Sequence, residues 1–63
     1  MNDEELKQKI YAQYLGAREQ HANHFVITGM PLDTAERLAT YLIESGEINA
    51  SIAKYKSGIN LML

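Results

Sequence analysis

Along the second half of this chain the spacing of apolar positions changes once, from a helical period to a strand period, and the change divides the segment into elements. Ala35, Leu38, Ala39, Leu42 and Ile43 recur at i, i+3, i+4, i+7 and i+8, the stripe that a helix turns toward a core, while Thr34, Arg37, Thr40 and Glu44 fall on the other side. Asp33, Thr34, Ala35 and Glu36 have the spacing of a capping box, in which Asp33 accepts from a backbone N–H three residues on and Glu36 reaches back. Pro31 stands just ahead, where it holds the chain extended without interrupting the helix. Gly46 suits the left-handed residue that closes a helix end. The spacing therefore predicts a helix from Thr34 to Ser45.

After Gly46, Ile48, Ala50 and Ile52 alternate with Asn49, Ser51 and Ala53, as in a strand with one buried face. Ser57 and Gly58 read as a two-residue hairpin turn. That turn pairs Lys56 with Ile59, Lys54 with Leu61 and Ile52 with Leu63, and sets Tyr55 across from Asn60. Ile48, Ala50, Ile52, Ile59, Leu61 and Leu63 then share the core face, so Leu63 is expected in the core; Asn49, Ser51, Ala53, Tyr55, Asn60 and Met62 share the other.

The first half is less regular. Asn2 or Asp3 can cap a helix whose acidic first turn, Asp3, Glu4 and Glu5, suits the positive end of the helix dipole. Leu6, Ile10, Tyr14 and Ala17 form one stripe, and Tyr11, Leu15 and Ala22 an adjoining one, an arc wider than a single core needs. Gly16 marks a place for a bend or an early end, since glycine costs about 1 kcal/mol relative to alanine in a helix. Phe25, Val26, Ile27 and Thr28 read as a short buried strand.

The expected fold is α+β: two helices packed on one face of a small three-stranded sheet, in the order α-β-α-β-β, with a C-terminal antiparallel hairpin. The last strand is the most apolar, which places it between the other two in a split β-α-β arrangement; parallel pairing of the first two strands is the competing topology. This order resembles the β-α-β-β stretch of small ferredoxin-like α+β sandwiches. The resemblance lies in element order over about half the chain and implies no function.

At 63 residues the chain is read as one domain, 1–63. Chains of this size bury only about 60% of their unfolded surface, so a lone core is marginal. The absence of cysteine removes disulfides and thiolate metal sites and favours a reducing, cytoplasmic setting. No apolar run approaches the roughly 20 residues of a membrane span, and the acidic beginning is unlike a signal peptide. With those devices gone, self-association is the expected source of extra stability, through a sheet edge or the spare face of the first helix.

Candidate chemistry is sparse. His21 and His24 stand three apart, a spacing that pairs imidazoles on a helix, but two ligands do not make a metal site, and no metal or cofactor is expected. Thr28, Gly29, Met30 and Pro31 lead into a helix start, where Asp33 and Glu36 would repel a phosphate. No paired acids or activated nucleophile stand out, so no enzymatic activity is expected. Lys54, Tyr55 and Lys56 cluster at the hairpin tip, a combination able to contact phosphate and stack on a base. Six Lys and Arg against eight Asp and Glu leave a net charge of −2, without the basic surface of a nucleic-acid binder. Lysines at a strand end also guard an edge against stray pairing. The functional expectation is a non-enzymatic protein–protein interaction module (an inhibitor, adaptor or regulatory subunit) acting as a homodimer. Its candidate interaction residues are Tyr11, Tyr14, Leu15, Lys54, Tyr55 and Lys56. The alternative is a nucleic-acid-binding regulator using the 54–56 tip.

Overall fold

The computed structural model describes Asn2 to Leu63. Its elements are α1 (Asp3–Glu19), β1 (His24–Val26), α2 (Leu32–Glu44), β2 (Ser51–Tyr55) and β3 (Gly58–Met62), in the expected α-β-α-β-β order. Both pairings are antiparallel and the sheet order is β1-β3-β2. The last strand is therefore central, β1 and β2 run parallel to each other without touching, and the arrangement is a split β-α-β. Ile10 and Tyr14 of α1, Ala35, Leu38, Ala39 and Leu42 of α2, and Ile59 and Leu61 of β3 form one buried cluster between the helices and the sheet, joined by Ile27 and Ile48.

Helix α1 is capped by Asn2, whose Oδ1 accepts from Glu5 N at 2.9 Å. It passes Gly16 without ending, because a glycine followed by Ala17 and Arg18 costs less than the helix gains by continuing. It ends in a Schellman motif: the N–H of Ala22 donates to Ala17 O at 2.9 Å and that of His21 to Arg18 O at 3.0 Å, with His21 at φ 58°. Helix α2 closes in the same way, with Gly46 at φ 84°, its N–H donating to Ile43 O and that of Glu47 to Leu42 O.

The start of α2 differs from the sequence expectation. It begins at Leu32 with Pro31 as N-cap, and Ala35 N donates to Pro31 O at 2.9 Å. Asp33 is thus already inside the first turn, where its Oδ1 accepts from Thr34 N, and Glu36 is turned toward β2. The capping box does not form because proline at the cap moves the start forward.

The hairpin register also differs, by two residues. Lys56 and Ser57 form the turn, and Tyr55 pairs with Gly58, Lys54 with Ile59, Ala53 with Asn60 and Ile52 with Leu61. A shift of two leaves every side chain on its expected face, so alternation alone does not choose between these registers. Packing does. The observed register sets Phe25, Leu61 and Ile52 in one row across all three strands on the core side, where the expected one would set Lys54 beside Leu61. On the other flank of β3 the pairing with β1 sets Val26 over Gly58, where a Cβ would stand 3.2 Å from Val26 Cγ1. Leu63, expected in the core, is 39% exposed and is held through its backbone, its N–H donating to Asn23 O at 2.8 Å. Strand β1 is an edge rather than a buried strand: Phe25 faces inward, while His24 and Val26 are exposed.

Candidate interaction interface

Alternation along three paired strands sorts their side chains into two populations. Phe25, Ile52, Ile59 and Leu61 point to the helices. Gly58, Asn60 and Met62 of β3 point the other way, with His24 and Val26 on one side and Ser51, Ala53 and Tyr55 on the other. Both helices lie on the first side, so nothing within the described chain covers the second. Val26, Tyr55 and Met62 are 44%, 58% and 41% exposed there, around the largely buried Asn60. No carboxylate or lysine lies among these outward residues of the three strands. The surface is an apolar plate with a carboxamide at its centre.

The residues singled out from the sequence divide among different surfaces. Tyr11 and Leu15 lie one turn apart on the outer side of α1 and remain exposed. Tyr14 does not join them. It is buried, and its hydroxyl oxygen accepts from Asn49 N at 3.2 Å and from Arg18 Nη1 at 3.4 Å, which fastens α1 to the segment entering β2. The tip trio is separated as well. Lys54 points to the helix side, where its Nζ lies 2.7 Å from Glu36 Oε2; Tyr55 points to the open face; Lys56 is in the turn. The pattern proposed for nucleic acid therefore does not form a single basic and aromatic cluster.

His21 closes α1 and His24 opens β1, so no helix carries the pair. Among the described residues no three His, Cys, Asp or Glu side chains stand close enough to hold a metal ion, and no helix is long and apolar enough to cross a membrane. A groove of about 390 Å³ between α1 and the end of α2 is lined by Glu4, Lys7, Tyr11, Tyr41 and Glu47. Its cation is occupied: Lys7 Nζ lies 3.2 Å from Glu4 Oε1 and 4.1 Å from the centre of the Tyr41 ring, and the bond to Glu4 raises its pKa. Asp3 and Arg37 form a two-point pair at 3.0 and 3.2 Å between the helices, which lowers the pKa of Asp3 and raises that of Arg37.

No family model, curated protein or solved structure matches this chain. The geometry alone bears on its role.

Two features escaped the sequence reading. Val26 and His24 belong to the open face because β1 is an edge, which a short apolar run does not announce. Gln13 is the other. Its Nε2 donates to Thr28 O at 3.0 Å and its Oε1 accepts from Thr28 N at 3.0 Å, so a side-chain amide from α1 satisfies the backbone just beyond β1 as a neighbouring strand would. A glutamine on the flank of a helix stripe gives no warning of this. At the opposite edge the comparable contact lies just ahead of β2, where the Tyr14 hydroxyl accepts from Asn49 N at 3.2 Å.

Proposed function

We propose that this chain is a non-enzymatic protein–protein interaction module that works as a homodimer and presents the uncovered face of its sheet to a protein partner with an apolar surface. The observation that carries the reading is the plate formed by Val26, Tyr55 and Met62 around Asn60, three exposed large side chains supplied by three different strands. Such a plate is pre-organised by the ladders beneath it, so ordering it on binding costs little. The central carboxamide adds a donor and an acceptor that favour a partner able to match them. Regulation or inhibition by occlusion of a partner is the activity such a surface suits, and a cysteine-free chain suits a reducing, cytoplasmic setting.

The test is capture of partners on the immobilised chain with and without nuclease, followed by calorimetry with the purified partner. Met62→Glu and Val26→Glu are expected to weaken binding by at least about tenfold, the order of effect of truncating a hot-spot residue, while Tyr11→Glu leaves it unchanged. Loss under Tyr11→Glu with retention under Met62→Glu would move the interface to α1. Retention that vanishes with nuclease, and with Lys56→Ala, would favour the nucleic-acid reading instead.

A further inference from the structure

We infer that two copies of this chain join through their β2 edges, antiparallel and about a two-fold axis at Ala53, into one continuous six-stranded sheet. The inference rests on the homodimeric reading above and names the surface that makes the dimer. Ile59 O accepts from Ile27 N at 3.0 Å and Leu63 N donates to Asn23 O at 2.8 Å, so the odd-numbered residues of β3 turn their backbone groups toward β1. In an antiparallel ladder the even-numbered ones, Gly58, Asn60 and Met62, then bond β2 through Tyr55, Ala53 and Ser51. The N–H and C=O groups of Ile52 and Lys54 are left aimed away from the sheet.

A two-fold at Ala53 sets Ile52 of one copy against Lys54 of the other, twice. Those are the residues whose backbone groups point outward, so the symmetry forms four hydrogen bonds with no donor or acceptor misplaced. Side chains agree. Ile52 and Lys54 share the helix side, and beside Ile52 lies a groove of about 280 Å³ between α2 and the β2 edge, lined by Thr40, Ile43, Glu44, Ala50 and Ser51. Its single carboxylate is Glu44; the second copy's Lys54, whose ammonium group lies 2.7 Å from Glu36 in its own chain, reaches Glu44 by exchanging one carboxylate for the other, with its apolar stem along Ile43 and Ile52.

The same assembly would enlarge the open face. At about 4.8 Å between strands and about 3.4 Å per residue, three strands of this length span roughly 240 Å² of plate, well below the roughly 800 Å² per partner of a standard interface. Edge pairing doubles the plate to roughly 480 Å², still short of that standard, without altering either subunit. The opposite edge is less suitable, since β1 is shorter and Gln13 already occupies the backbone beyond it.

Sedimentation equilibrium on the full chain, with circular dichroism as a check of folding, tests the inference. The wild type is expected to be a dimer at micromolar concentration. Lys54→Pro removes a donor that points out of the sheet and none that holds β3, so it is expected to give a folded monomer. Glu44→Lys, at an exposed helical position, sets like charges at the groove and is expected to shift the equilibrium toward monomer with an unchanged spectrum. A wild type that stays monomeric, or a folded Glu44→Lys variant that dimerises as the wild type does, would overturn the edge assembly. A dimer lost with Met62→Glu but kept in both edge variants would also overturn it, and would assign self-association to the open face. Failure of the partner-binding reading is separate: it leaves the edge dimer intact while Val26→Glu and Met62→Glu change no partner's affinity.

Discussion

The two faces of the sheet are built from neighbouring residues of the same strands, yet they follow different rules. On the helix side Leu61 is fully buried and sits in a row with Phe25 and Ile52; one residue further along β3, Met62 is 41% exposed among Val26, Ser51 and His24. The inner face is filled by the helices, and its side chains have one arrangement. The outer face mixes Val26, Tyr55 and Met62 with His24, Ser51 and Asn60 and has no cover among the described residues, so its exposed apolar side chains contribute little to the monomer's stability. Apolar character by itself does not distinguish core from interface; the placement of the helices does.

The sharpest way to break this contrast is a pair of truncations. Leu61→Ala is expected to cost about 2 to 5 kcal/mol, a large part of the stability of a small domain, whereas Met62→Ala should fall within about 0.5 kcal/mol. Urea unfolding at low protein concentration measures both, and equal costs would mean that the outer face is packed in solution. A smaller effect concerns the polar fastening of the covered side. Tyr14→Phe removes the acceptor of Asn49 N–H and is expected to cost about 1 kcal/mol, with its near-ultraviolet signal otherwise native; no change would mean that water replaces the hydroxyl. The smallest effect lies at the exposed Asp3–Arg37 pair that ties the two covering helices together. Folding lowers the pKa of Asp3, so the pair stabilises the chain above the ordinary aspartate range and the contribution is lost as pH falls through it. Melting temperatures of the wild type and Arg37→Gln should therefore differ slightly at neutral pH and converge once the pH has fallen below the lowered pKa of Asp3; a gap that persists there would assign the difference to packing of the arginine stem.

Much of this architecture can be read from residue order. The stripe of α2, the glycine at its end, the alternation of β2 and β3 and the central position of the last strand all follow from periods that few folds share. What stays hidden has physical causes. A period of two determines which face a residue occupies but not which of two registers pairs it, and that choice fell to the row of Phe25, Leu61 and Ile52. The end of α1 is hidden because a histidine takes the left-handed position that glycine takes in α2. The start of α2 is misread because Asp33 fits a cap as well as it fits a first turn. Of the interface, Tyr55, Asn60 and Met62 are legible as one face; Val26 and His24 are not, because only a tertiary pairing brings β1 beside them.

The central position of β3 also governs when this molecule can begin to fold. β1 and β2 meet only through the strand that is made after both, so during synthesis neither has a neighbour to pair with until the residues from Gly58 onward leave the ribosome. Helix α2 can form early, but its stripe has no complete sheet to rest on until β3 is in place. One late strand then closes both ladders.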